Sequence, residues 1–388
     1  MKKFTSFVLL AAMMAALLSL SSCAKEPKEK EPENTAQPAA PTLYSITIDE
    51  MTNGAVSANK TSGIAEGETI TLTITPEESD SYDCALVTLS VKNGDTDVNV
   101  NGTGNTRTFT MPAANVTVGA TFCKTTYIGS KKPSVAKAVG DIVFNDGSAM
   151  PYTEFDVLDD DSKNDKKTFA IALIFYKGTE LNNGNNTTTS RTLGVGLIHK
   201  NSIRWCKDAN AFDKVITDIH CRPLNFTQGI FDGDKDGSDN LEQVGAWLKD
   251  ENKGNTTDDT IGNGADSRYP AFYFAKNYKN KTIGSETKSR IAGTTYETGW
   301  YLPSLAELFQ IYANGIGTNK VFDIDTASQA LGGSKFTNTN AWYWSASVFS
   351  NKNSGIASII NFTENDWHGQ GMDQSANTGY ACAIRDFN

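Results

Sequence analysis

Apolar and hydroxyl side chains alternate along Tyr44-Ser-Ile-Thr-Ile48, Ile70-Thr-Leu-Thr-Ile74, Leu89-Ser-Val91 and Val116-Thr-Val118. Successive side chains on a strand point to opposite faces, so this alternation predicts half-buried strands. Gly54, Gly63, Gly67, Asn93-Gly94 and Gly102 punctuate them as turns. No polar or aromatic cluster interrupts the stretch, which favours a spacer over a binding module. From Val139 the pattern changes. Gly140–Phe144, Thr168–Tyr176 and Ser190–Ile198 predict strands, the second apolar enough to be central in its sheet. Ala209–Ile219 predicts a short helix, and Leu241, Val244 and Leu248 mark another. Asn182–Thr189 reads as a polar loop.

The C-terminal stretch is the most strongly patterned. Ser304 and Glu307 have the spacing at which a hydroxyl and a carboxylate cap a helix start reciprocally. Leu305, Leu308, Phe309 and Tyr312 then recur at helical spacing, and Asn314-Gly315 supplies the stop. After a second short helix, Ala341–Ser347, Ala357–Phe362 and Tyr380–Phe387 predict three strands, with Trp342 and Trp344 assigned to the core. Two polar loops lie between them, Ser350–Gly355 and Thr363–Thr378. Their candidate ligand-binding residues are Asn351, Asn353, Asn365, Trp367, His368, Gln370, Asp373 and Asn377. Amide and aromatic groups on loops held by a rigid scaffold suit protein or glycan ligands, and an exposed Trp367 has a cost unless it packs or binds.

Three motifs occur in order over this region: Gly299-Trp-Tyr-Leu-Pro-Ser304, Tyr343-Trp-Ser-Ala-Ser347 and Cys382-Ala-Ile-Arg-Asp-Phe387. Together they resemble a family of bacterial surface domains with a C-type-lectin-like fold, which includes the C-terminal domain of a collagen-like adhesin. They also resemble the lectin-fold variable proteins whose final segment is diversified by retroelements. The resemblance implies ligand binding on a stable scaffold and points independently to the terminal loop. Phe109-Thr-Met-Pro112, Asn115-Val-Thr-Val118 and Ala120-Thr-Phe122 are similar to the internalin-type bacterial β-repeat. That likeness implies a small stalk module of a surface protein.

Met1-Lys2-Lys3 followed by the apolar run Val8–Leu20 is a secretory leader. It ends in Leu20-Ser-Ser-Cys23, which resembles a bacterial lipobox and makes Cys23 the expected lipidation site. Residues 24–41, rich in Lys, Glu, Pro and Ala, have almost nothing to bury and read as a disordered tether. Loss of the leader with its two lysines takes the net charge from −10 to −12, which argues against nucleic acid as partner. Six cysteines are present. Cys84 and Cys123 fall in the first module; Cys206, Cys221 and Cys382 fall in the second, leaving one over. Closeness along the chain favours Cys206–Cys221, whereas the lectin resemblance favours tying Cys382 to the upstream helix.

The chemically richest stretch is Asp232-Gly-Asp-Lys-Asp236-Gly-Ser-Asp239. Alternating carboxylates with a glycine can direct hard oxygens at one Ca²⁺, with Asp232, Asp234, Asp236 and Asp239 as the candidate ligands. Gln243 stands where a calcium loop has its bidentate glutamate. The competing reading is a solvated turn in which Asp239 and Glu242 cap the following helix. No phosphate-binding loop, nucleophile elbow, dinucleotide fingerprint or zinc-protease motif occurs, and the three histidines are widely spaced. The chain is therefore read as a non-enzyme, although formylglycine-generating enzymes share the broad fold class.

The expected organisation is a signal peptide (1–22), tether (23–42), β-repeat stalk (43–124), linker (125–138) and C-type-lectin-like head (139–388). The fold class is mostly β with an α+β head. The expected protein is an outer-membrane lipoprotein, lipid-anchored through Cys23 and exposed at the cell surface. Its head would bind an extracellular protein or glycan, adhesin-like; the alternative is a structural envelope protein with no specific ligand.

Overall fold

A computed structural model of the chain describes residues 40–182, 188–206, 216–253, 269–338, 341–351, 354–363, 366–371 and 379–388. The chain is mostly β. In the N-terminal module, one sheet orders Ile46–Ile48, Val116–Thr126, Tyr82–Asn93 and Thr96–Asp97; the other orders Gly54–Ala58, Thr69–Pro76, Thr106–Thr110 and Val100–Asn101. The alternation seen in the sequence does the packing: Ile70, Leu72 and Ile74 turn inward against Phe109, Val116 and Val118, while the threonines between them face out or lie at the margin. The short strand Ile46–Ile48 and the long last strand lie side by side and parallel, Ile46 opposite Val116 and Ile48 opposite Val118.

Residues 125–138, expected to be a linker, are laid against both units. The last strand of the module runs on to Thr126. The Tyr127 hydroxyl donates to Asp83 at 2.7 Å, and Lys132 pairs with the same carboxylate at 2.6 Å. Lys131 grips the buried Asp141 of the head at 2.7 Å and its backbone bridges Ala149.

The head contains two five-stranded sheets. The first orders Ala149–Pro151, Asp141–Phe144, Ala170–Gly178, Arg191–Gly196 and Ile384–Asp386. Ala170–Gly178 is central, as its unbroken apolar run predicts: Ile171 and Ile174 enter one core cluster, Leu173 and Phe175 the other. The second sheet orders Lys200–Ile203, Gly379–Ala381, Trp342–Asn351, Ser354–Asn361 and Asp366–Gly371. The helix Leu305–Gly315 buries Leu305, Leu308, Phe309 and Ile311, and Asn240–Lys249 buries Leu241, Val244, Trp247 and Leu248. The expected helix Ala209–Ile219 falls largely outside the described residues; its end, Thr217–Ile219, is a single 3-10 turn.

Two indoles join the second sheet's neighbours. Trp205 Nε1 donates to the Ser345 carbonyl and Trp344 Nε1 to the Ile203 carbonyl, each at 2.8 Å, so each buried ring satisfies a backbone acceptor on the other's segment. Trp344 is core, as expected, and Trp342 is half-buried against the same cluster. Neither expected disulfide is present. Cys84, Cys123, Cys221 and Cys382 are free thiols, and Cys206 and Cys221 lie in different core clusters. Proximity along the chain did not translate into proximity of side chains. Burial raises the Cys221 thiol to about 12 and raises Cys382 further, so both behave as small apolar groups.

His199 supplies a pH signature. Its ring lies 4.3 Å from the Phe336 ring and its Nδ1 bonds the Tyr343 hydroxyl at 2.8 Å. Burial pushes its pKa down to about 4, against the smaller raising influence of the Lys335 carbonyl and Asp325. A depressed histidine keeps the fold's stability above the unfolded value near 6.5 and loses it as pH falls toward 4. Urea midpoints at pH 7 and 4.5 should therefore separate wild type from His199→Gln, the wild type losing ~2 kcal/mol more on acidification. Equal losses in the two proteins would contradict this.

Candidate functional site

The capping box forms as the sequence predicts. Ser304 Oγ accepts from Glu307 N at 3.1 Å, and Glu307 Oε2 accepts from Ser304 N at 2.8 Å. What the spacing did not show is that Glu307 is fully buried and belongs to a larger cluster. Its Oε1 accepts from the Tyr301 hydroxyl at 2.8 Å and lies 3.1 Å from Arg191 Nη2. Arg191 starts its strand almost wholly buried. It also reaches Asp236 at 3.0 Å, Asp386 at 3.7 Å, the Tyr301 hydroxyl at 2.6 Å and the Leu181 carbonyl at 2.9 Å. One guanidinium thus ties the acidic loop, the helix cap, the first sheet and the C-terminal strand together.

The electrostatics follow from burial. Desolvation opposes the charge on Arg191, but Glu307, Tyr301, Asp236 and Asp386 outweigh it and hold its pKa above the ordinary value. Desolvation raises Glu307 to about 7, with Arg191 the chief opposing influence. The acidic loop is seated directly on the helix cap. Gly237 N donates to Glu307 Oε2 at 3.1 Å and Ser304 Oγ donates to the Lys235 carbonyl at 2.6 Å. A Cβ at Gly237 would sit 2.6 Å from Ser304 N and 2.7 Å from the Leu302 carbonyl, so only glycine permits this approach.

The four candidate calcium ligands are drawn to different partners. Asp232 pairs with Arg222 at 3.3 Å, and Asp234 accepts from Asp236 N at 3.1 Å. Asp236 accepts from Ser238 N at 2.9 Å besides pairing with Arg191. Asp239 occupies the N-cap position of Asn240–Lys249 without a side-chain cap bond. The turn is capped, but by Asp236 rather than by the expected Asp239 and Glu242. Among the described residues no three His, Cys, Asp or Glu side chains are grouped to hold a metal ion.

The terminal segment differs from its expectation in three respects: the expected strand Tyr380–Phe387 is split into Gly379–Ala381 in the second sheet and Ile384–Asp386 in the first, strand pairing takes in Ser350, Asn351, Ser354 and Gly355 of the expected loop, and a further strand forms beyond it. Trp342–Asn351 and Ser354–Asn361 form a hairpin, and Asp366–Gly371, expected within a loop, is a strand paired antiparallel to the second of these. Trp367 stands opposite Ile360, His368 opposite Ile359 and Gln370 opposite Ala357, on the sheet's outermost strand. Asn351 ends the hairpin's first strand. Asn353, Asn365, Asp373, Asn377 and the lipidation residue Cys23 lie outside the described residues.

Residues that sequence reasoning did not single out are Arg191, Tyr301, Arg385 and Asp386. The only available signal was a charged residue at the head of an otherwise apolar strand, and a second inside the terminal motif.

Residues 44–126 match the family described as divergent InlB B-repeat domain. No curated protein matches the chain. Among solved structures the chain is similar to a fimbrial protein from Bacteroides ovatus ATCC 8483, at 12% identity and a TM-score of 0.40, over 88% of this chain and 68% of that one. A likeness of that order carries no argument about the head.

Proposed function

We propose that this is a lipid-anchored outer-membrane protein, exposed at the cell surface, whose B-repeat stalk presents a C-type-lectin-like head to an extracellular protein or glycan. The stalk reading is supported by the B-repeat match over residues 44–126. The recognition reading rests on one observation: Trp367, His368 and Gln370 lie on the outermost strand of the second sheet. An outer strand carries main-chain donors and acceptors along one edge, to which a ligand chain or polar ligand can add. The neighbouring polar segments would supply specificity, and in the diversified relatives the final segment is the variable one.

A binding screen of the full chain against extracellular proteins and glycans tests the reading. With a ligand in hand, Trp367→Ala combined with His368→Ala and Gln370→Ala should weaken binding by ~2 kcal/mol or more, about thirtyfold. The melting temperature of the triple variant is measured alongside, so that a lost contact is told from a lost fold. Unchanged affinity in the triple variant would place the recognition surface elsewhere.

A further inference from the structure

The cluster around Arg191 forms the floor of a cleft of about 700 Å³, within the size range of small-ligand sites. Its wall carries Arg385, whose setting is unlike that of Arg191. The Arg385 guanidinium lies 4.8 Å from the Tyr296 ring and 5.4 Å from the Phe387 ring. Its Nε donates to the Thr298 carbonyl at 2.8 Å. Gly299, at φ +85, lets this happen: a Cβ there would lie 3.1 Å from Arg385 Nε. The side chain is thus fixed in orientation, yet no carboxylate among the described residues lies within ion-pair distance of it. The two terminal nitrogens are left to a partner from outside. Burial lowers the Arg385 pKa from its usual value, offset only in part by Tyr296 and Asp386.

A guanidinium offers a planar fork that matches one carboxylate or phosphate bidentately. The rest of the cleft chooses between them. Asp386, Glu242 and Glu297 also line it, as do Lys276 and Lys279, which pair with Glu242 at 3.8 Å and with Glu297 at 3.5 Å, so the lining carries both signs. A doubly charged phosphate or sulfate would answer only the cations of this mixed lining. A singly charged carboxylate that brings its own cationic end would complement both signs.

We infer that the cleft is a second ligand site, separate from the terminal strand, which takes a short free peptide with its C-terminal carboxylate on Arg385 and its amino end toward the carboxylates of Glu242 and Glu297. The apolar edges of Leu241 and Phe272, also in the lining, would meet its side chains.

Calorimetric titration of the full chain tests this, with a mixture of free-acid tripeptides, the same peptides as C-terminal amides, their N-acetylated forms, glutarate and inorganic phosphate. The free-acid peptides should bind, and both blocked forms at least tenfold more weakly. Arg385→Gln should cost the free-acid peptides at least tenfold and leave the already weak amides unchanged. Arg385→Lys keeps the charge and removes the fork; it should weaken the free-acid peptides at least fivefold without altering the melting temperature, which holds the test open if the glutamine variant folds poorly. Absence of peptide binding at millimolar concentration, equal affinity for acids and amides, or preference for glutarate or phosphate would each overturn the inference. The Trp367, His368 and Gln370 triple variant should bind the peptides as wild type does, so failure here leaves the terminal-strand reading standing and the reverse also holds.

Discussion

Replacing Arg191 by methionine should destabilise the head by ~3–5 kcal/mol, the usual cost of leaving one partner of a buried ion pair alone. The substitution keeps most of the apolar stem, so the loss reports on charge rather than volume. Glu307 would lose its chief lowering influence while remaining fully buried. A carboxyl whose folded pKa is raised gives stability that is present below its unfolded value and lost as pH rises through the folded one. Wild type should show this between the ordinary value of 4.5 and about 7. In Arg191→Met the decline should extend above pH 7, so the deficit measured by urea unfolding should be larger at pH 8 than at pH 5. Adding Glu307→Gln should recover part of the loss, since the double variant no longer buries an unpaired charge. A deficit that is independent of pH and additive with Glu307→Gln would mean that the pair is not coupled.

Trp344→Ala should be comparably damaging, at ~3–5 kcal/mol, because a large buried side chain leaves a cavity that its surroundings fill only in part. Two further losses add to it. The Ile203 carbonyl loses the indole donor at 2.8 Å. Gly379, whose hypothetical Cβ would lie 2.8 Å from Trp344 Nε1, loses the surface it packs on. Trp344→Phe separates these contributions: it keeps most of the volume and strands only the carbonyl, for ~1–3 kcal/mol. Chemical denaturation of the three proteins measures the series. If alanine and phenylalanine cost the same, the lost hydrogen bond outweighs the lost volume.

Where the determinants are local, they were legible. The capping box needs only Ser304 and Glu307, and the central strand announces itself by an apolar run that must be buried on both faces. The alternation of Ile70, Leu72 and Ile74 likewise gave its inward face directly. The Arg191 cluster was not legible, because its members at 236, 301, 307 and 386 are brought together only by the complete head. Glu307 shows the boundary well: its role as a cap was readable, but its burial and its pairing were not. Asp366–Gly371 lies in a polar stretch, Thr363–Thr378, with few residues fit for a core, which reads as loop. Its pairing with Ser354–Asn361 overrides that preference, as neighbouring strands commonly do. The cysteines failed for a related reason, since spacing says nothing about which side of a sheet a thiol enters.

The parallel contact between Ile46–Ile48 and Val116–Thr126 has a mechanical meaning. In the anchored, ligand-bound arrangement proposed above, tension would pass through the first of these strands and leave the module through the second. The two are pulled in opposite directions along their length, so the hydrogen bonds between them are loaded together in shear rather than opened one after another. Beyond them the covalent chain continues to the head, with Lys132 pinned to Asp83 of the module and Lys131 to Asp141 of the head. Such a geometry resists tension better than one whose hydrogen bonds open in sequence.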